Sequence, residues 1–249
     1  MAEKEQRLDD IVADLMSTTA RIVHAPDGGP LKLIINGRAI KMTGRYPCYK
    51  AAGRSIGYEA DHENGLLEIS DVDKAVVKCM AQPHRVVIPM PGLERPLEYI
   101  PDIRRDLADG TVEIIETKHD DDRRMRDPDY LCKLDLAKEV YQIVGWKFRT
   151  LTRTQIMETR LYQNAHAIVT WAYCDVPPVN HFALRAALQD ADGSLTHATA
   201  AEIVGGVPYL HALVTQRKVT FDLTARIDDE TIVTWVDHEA LRRSSPPLL

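Results

Sequence analysis

The chain has 249 residues, with 31 Lys plus Arg against 37 Asp plus Glu, a formal net charge of −6. A hydrophobic fraction of 45 % and a charged fraction of 27 % are ordinary globular usage, which excludes wholesale disorder, a collagen-like rod and a long coiled coil. The length suits one large domain or two small ones with a core that needs no disulfide help, and the acidic balance counts at first sight against a nucleic-acid partner.

Residues 7–16 predict an amphipathic helix, with Leu8, Ile11, Val12, Leu15 and Met16 at helical spacing. Asn36-Gly37 between two apolar runs predicts a hairpin. Residues 43–57, with Gly44, Pro47, Gly53 and Gly57, read as a loop that also carries Arg45, Lys50 and Arg54. Residues 58–69 suit a helix, which Gly65 weakens by about 1 kcal/mol relative to Ala. Four β-like runs follow: Ala75–Met80, His84–Met90, Leu97–Leu107 and Thr111–Lys118, the last two joined by the turn Ala108-Asp109-Gly110. After a charged loop come a helix over 129–144, stopped at Gly145, and a strand over 147–152. The expected order is helix, strands, helix, strand around one sheet.

Residues 153–170 read as one more helix, and Pro177-Pro178 is a candidate linker point. Beyond it, short helices near 180–189, 196–204 and 207–216 precede two β-like runs near 217–223 and 231–236, joined by Asp228-Asp229-Glu230. Three short helices and a β-hairpin make the outline of a winged helix. No stretch approaches the run of about 20 apolar residues that spans a bilayer, and the charged start MAEKEQRLDDIV lacks the apolar core of a secretory signal. A soluble, cytoplasmic protein without a membrane partner is expected. Cys48, Cys79, Cys132 and Cys174 form no C-x-x-C pair, so reduced thiols are expected rather than a zinc site. Trp146, Trp171 and Trp235 read most economically as core residues.

The chemistry centres on Asp102 and, after thirteen intervening residues, Glu116-Thr117-Lys118. A hairpin can bring the two carboxylates side by side, and period-two alternation puts Glu116 and Lys118 on one face. Two carboxylates and a lysine suit a magnesium-dependent hydrolase, in which the acids hold a hard cation and the lysine steers water or stabilises the transition state. By itself such spacing arises by chance in many proteins. Three features shift the balance: Ile114-Ile115 makes Glu116 emerge from an apolar strand, Tyr99-Ile100-Pro101-Asp102-Ile103 has the same character, and Glu63 offers a third carboxylate on the preceding helix. Arg104, Arg105, Arg123, Arg124, Arg126 and Lys133 lie near this site in sequence; they read as phosphate contacts or as solvated loop charge, with Arg123–Arg126 favoured for DNA. Lys50 and Arg54 are weaker candidates. His62 and His119 flank site residues and read as ordinary histidines that could touch phosphate.

Glu63 on a helix, then Pro101-Asp102, then Glu116-Thr117-Lys118, within αβββαβ, resembles the PD-(D/E)xK nuclease superfamily. More narrowly, the chain resembles the TnsA-like endonuclease subunit of heteromeric transposases. The likeness rests on the segment from Glu63 to Val76, Gln82-Pro83, Tyr99-Ile100-Pro101-Asp102, Ile115-Glu116-Thr117-Lys118 and Gly145-Trp146-Lys147-Phe148 to Leu151-Thr152. It covers residues from about 45 to 156 well and the C-terminal part more loosely. Glu116 stands where transposon members often carry Gln.

The resemblance implies a restriction-endonuclease-like α/β core over 43–176, after an N-terminal extension over 1–42 and before a winged-helix domain over 177–249. It implies Mg²⁺, with Mn²⁺ able to substitute, held by Glu63, Asp102, Glu116 and the Thr117 carbonyl, with Lys118 assisting. The implied activity is cleavage of one strand of double-stranded DNA at transposon ends, with a transposase subunit and an ATPase regulator as partners. Two alternatives stay open: another nuclease on the same core, serving phage, defence or repair, and a non-catalytic winged-helix DNA-binding protein.

Overall fold

The computed structural model describes residues 20–25, 29–31, 43–90, 92 and 94–249. The helix expected over 7–16 and the hairpin around Asn36-Gly37 lie outside them.

After a short strand β1 (Arg21–His24), the chain forms a hairpin of β2 (Gly44–Pro47) and β3 (Ser55–Tyr58) around a 3-10 turn at Tyr49–Ala51. The Gly and Pro content of this stretch suggests a loop. What overrides it is a buried acceptor: Asp71 takes hydrogen bonds from the Tyr46 hydroxyl at 2.8 Å, Cys48 Sγ at 3.2 Å, and the backbone N–H groups of Tyr49 and Lys50 at 2.9 and 3.1 Å. Lys50, weighed as a phosphate contact, is buried, and its Nζ donates to the carbonyls of Ser70 and Asp73 at the end of the next helix.

That helix, α1 (Asp61–Val72), begins three residues later than expected, because Tyr58 still pairs in β3. Asp61 and Glu63 in its first turn suit the positive end of the helix dipole. The following strands are β4 (Val76–Ala81), β5 (His84–Ile88), β6 (Leu97–Tyr99), β7 (Ile103–Leu107) and β8 (Val112–Lys118). They do not form one sheet. The main sheet is β4-β7-β8-β9, with β9 (Lys147–Thr152) parallel to β8, and β1-β5-β6 is a second sheet. The expected single strand Leu97–Leu107 is divided at Pro101, which has no N–H to give a central ladder. β6 therefore pairs with β5, while β7 lies between β4 and β8. The β7–β8 turn closes as expected, with Gly110 at φ +84° and Thr111 N–H donating to Asp109 Oδ1 at 2.9 Å.

A 3-10 turn at Arg123–Arg126 leads into α2 (Pro128–Ile143), which makes the crossover to β9. The helix expected over 153–170 is two helices, α3 (Arg153–Met157) and α4 (Arg160–Val169), because Thr152 and Thr159 each cap a fresh N-terminus. α5 (Pro178–Asp190) starts on Pro178 at a position where its missing N–H costs nothing. Then come β10 (Ser194–Thr196), α6 (His197–Val204), α7 (Val207–Thr215), β11 (Val219–Thr220), β12 (Ile232–Trp235) and α8 (His238–Arg243). β10, which the sequence did not announce, joins β12 and β11 in the order β10-β12-β11.

The main sheet separates two cores. On one face Leu66, Leu67 and Ile69 of α1 meet Ile103, Ile115 and Leu151, and the same cluster runs on through Leu184, Leu210 and Val233. On the other face Ile114 packs with Tyr99, Leu134, Ala137 and Tyr141. Among the described residues no helix is long and apolar enough to cross a membrane. All four cysteines are free, Cys48 and Cys79 buried. Trp171 is exposed rather than part of the core.

Gly65 is where α1 meets α3 and α4. A Cβ there would stand 2.5 Å from Met157 Sδ, 3.2 Å from the Tyr162 ring and 3.3 Å from Ile156 Cγ2. The residue that weakens the helix by propensity thus permits its docking. Gly65→Val is expected to destabilise the protein by about 1–3 kcal/mol, seen as a lower urea midpoint. An unchanged midpoint would show that α1 does not need this close approach.

Candidate functional site

β8 is covered on both faces, so its alternation assigns each side chain to a different environment. Ile115 enters the core under α1 and Ile114 the core with α2. Glu116 and Lys118 share the parity of Ile114 and meet at the strand's end, where Lys118 Nζ donates to Glu116 Oε1. Tyr130, in the first turn of α2, donates to the same Oε1 at 2.9 Å, and Tyr99 donates to Glu116 Oε2 at 2.6 Å. Both carboxylate oxygens are thus engaged.

Asp102 follows the chain break at Pro101. Its backbone carbonyl accepts from Gln82 N–H at 2.8 Å, and its Oδ2 accepts from Thr117 N–H at 2.7 Å and Thr117 Oγ1 at 2.9 Å. Glu63 arrives on α1, its Oε2 accepting from Glu59 N–H at 2.8 Å. Glu63, Asp102, Glu116, Thr117 and Lys118 all line one cavity of about 820 Å³. Three separate stretches of chain are therefore brought to one cavity.

Burial pushes the Glu63 carboxyl above its ordinary value, with the charges of Glu59 and Glu116 adding to the effect against the Glu59 N–H. Burial does the same to Asp102, reinforced by Glu116 and Glu63. Burial alone would pull the Lys118 ammonium down, but the adjoining Glu116 outweighs it and holds Lys118 above the usual lysine value. The lysine therefore stays charged near neutrality.

The basic residues are not placed alike. Arg124 and Lys133 line the cavity. Arg124 is paired with Asp122 at 2.7 Å and lies over the Tyr130 ring, whose centroid is 5.2 Å from Lys118 Nζ. Arg123 and Arg126 are exposed on the adjoining turn but do not line the cavity. Arg104 is turned away into a second cavity of about 180 Å³, paired with Asp106 and stacked 4.7 Å over Trp146. Arg105 is fully buried against Glu113. His62 and His119 both line the main cavity.

Sequence reasoning gave no role to Tyr130 or Glu59, and none to Gln82 or Tyr99 beyond their places in motifs. Tyr130 and Glu59 carry no local signal, because they reach the site only through the packing of α2 and the turn before α1. The donor set, three carboxylates and the Thr117 carbonyl, is all oxygen and suits a hard cation such as Mg²⁺ or Mn²⁺. Among the described residues no three His, Cys, Asp or Glu side chains stand ready-made around a metal position, and Glu116 would have to exchange Lys118 or a tyrosine for one.

Compared with models of known protein families and with curated protein sequences, the chain matches none.

The crowded carboxylates have a consequence for stability. Asp102 holds its proton more tightly folded than unfolded. The metal-free protein therefore loses stability as pH rises from the ordinary carboxylate range through the raised one. Asp102→Asn is expected to raise the melting temperature at pH 9 by several degrees and to have little effect at pH 4. A variant no more stable than wild type at pH 9 would contradict this account.

Proposed function

We propose that the chain is a metal-dependent DNA endonuclease of the PD-(D/E)xK type, and that it acts as the strand-cleaving subunit of a heteromeric transposase. The observation that carries this reading is the convergence of Glu63, Asp102, Glu116 and Lys118, from α1, the β6–β7 junction and β8, on one cavity. The main sheet of β4-β7-β8-β9, with α1 before it and α2 crossing between β8 and β9, supports a restriction-endonuclease-like core.

Glu63, Asp102, Glu116 and the Thr117 carbonyl would hold the cation, which when bound lowers the pKa of a water and offsets phosphate charge. Thr117 fixes Asp102 through two hydrogen bonds, so that carboxylate needs no reorganisation to hold its place. Tyr99 and Tyr130 orient Glu116. Lys118, kept as an ammonium by Glu116, favours charge stabilisation of the pentacoordinate phosphate over proton abstraction. Arg124 and Lys133 on the cavity wall offer positive charge for flanking phosphates.

The cavity is otherwise acidic, with Glu59, Asp61, Glu98, Asp121 and Asp122 beside the three carboxylates. DNA would enter only with cations bound, which supports a requirement for Mg²⁺ and for a transposase partner, with an ATPase regulator, to deliver the duplex in the cytoplasm. The order α5-β10-α6-α7-β11-β12 supports a winged helix. Its third helix, α7, is buried from Leu210 to Thr215 among residues of the core shared with α1 and α4, which weighs against a protein whose only function is reading DNA with that helix.

The test is nicking of duplex DNA with Mg²⁺ or Mn²⁺, by the protein alone and together with any transposase found encoded beside it, whose element ends then serve as substrate. Asp102→Ala and Lys118→Ala are each expected to lower the rate by about 10²–10³-fold. Equal cleavage by wild type and both variants, or no cleavage under any of these conditions, would refute the proposal.

A further inference from the structure

Gln82 sits where the chain leaves the main sheet for the second one, between β4 and β5. It is a non-glycine residue in the left-handed region, at φ +46°. A side chain there is strained, and such conformations persist where the surroundings over-determine them. Its backbone is fully used: the N–H donates to the Asp102 carbonyl at 2.8 Å and the carbonyl accepts from Leu31 N–H at 3.0 Å. The side chain is different. Gln82 is 6 % exposed and lines the main cavity, yet its Oε1 has no hydrogen-bond partner among the described residues. A buried carbonyl oxygen without a partner is costly, and native structures rarely keep one without a purpose.

The chemistry of that atom narrows what it can meet. Oε1 is an acceptor, so the oxygens of a DNA phosphodiester, which carry no proton, cannot satisfy it. A hydrogen-bond donor or a cation can, and the carboxylates that share the cavity favour a divalent cation. Glu116 has both oxygens engaged, which leaves Glu63, Asp102 and the Thr117 carbonyl as the more open donors. Hard cations take six or more oxygens and accept neutral amide carbonyls alongside carboxylates. A neutral donor also adds no further repulsion to a site already crowded with negative charge. We propose that Gln82 Oε1 is a further ligand of the divalent cation in this cavity, with the backbone bond from Gln82 to Asp102 holding the two donors in register. This inference rests on the cation-dependent reading above.

The experiment titrates Mn²⁺ into the full chain without DNA, counting free Mn²⁺ by electron paramagnetic resonance, for wild type, Q82M, Q82E and D102A. Q82M keeps the volume and removes the oxygen; Q82E keeps an oxygen. Q82M is expected to bind about tenfold more weakly or worse, D102A to lose binding, and Q82E to bind at least as tightly as wild type. The melting temperature of metal-free Q82M is expected to equal or exceed that of wild type, since no protein partner is lost. Should Q82M not fold, Q82A makes the same comparison. Wild-type affinity in Q82M overturns the proposal and leaves the cation reading intact. Equal weakening in Q82M and Q82E assigns Gln82 to packing and overturns it too, as does full binding by D102A. No binding by the wild type sinks the proposal together with the reading it rests on.

Discussion

The end of β8 places a carboxylate, a hydroxyl and an ammonium in succession within a strand that is buried on both faces. Glu116, Thr117 and Lys118 are all almost wholly covered. An unpaired charge in such a place is among the most costly features a fold can carry, so the surroundings must answer each one. Lys118 and Glu116 answer one another, the hydroxyls of Tyr99 and Tyr130 complete Glu116, and Thr117 ties Asp102 to the strand. α2 supplies Tyr130 for this, and the stretch from β6 to β7 supplies Tyr99 and Asp102.

The other end of β8 meets the same difficulty and solves it differently. Glu113 is buried too, but it lies between Arg105 and Arg149, and both arginines also donate to the backbone oxygen of Leu249. No cavity residue is among them. Charge at that end is closed off by its partners, whereas charge at the Glu116 end opens onto 820 Å³ of space. The contrast separates a structural ion pair from a chemical one within a single strand. It also ties the C-terminal segment to the sheet, as do Leu248 N–H on Asp73 and Ser245 N–H on Asp109.

The net charge of −6 takes on a local meaning. Eight carboxylates line the cavity, against Lys118, Arg124 and Lys133, and they repel phosphate and attract cations there. Arg104 and Arg105 are taken up in ion pairs away from the cavity, and Lys50 is buried under α1. A global charge count therefore says less about a DNA partner than about what must accompany it.

Much of the fold was legible in the chain itself. β4, β5, β8, α2 and β9 follow from apolar periodicity and from turn residues such as Asp109-Gly110 and Gly145, because those signals are local. Asp102, Glu116 and Lys118 could be named because a hairpin and strand alternation bring such residues together predictably, and Glu63 because it lies on the helix that precedes them. The rest depended on long-range contacts. The β2–β3 hairpin is held by Asp71, about twenty residues downstream, and the glycine that lowers α1's propensity is required by α3 and α4. Pro101 announced a break but not that its two sides join different sheets. Tyr130 reaches Glu116, and Gln82, with its buried and unpartnered oxygen, joins the cavity wall, only once α2 has crossed to β9 and the chain has switched sheets. Local order is written in neighbouring residues; which side chains share a confined volume is decided by packing, since burial and the cost of unpaired charge exist only in the folded chain.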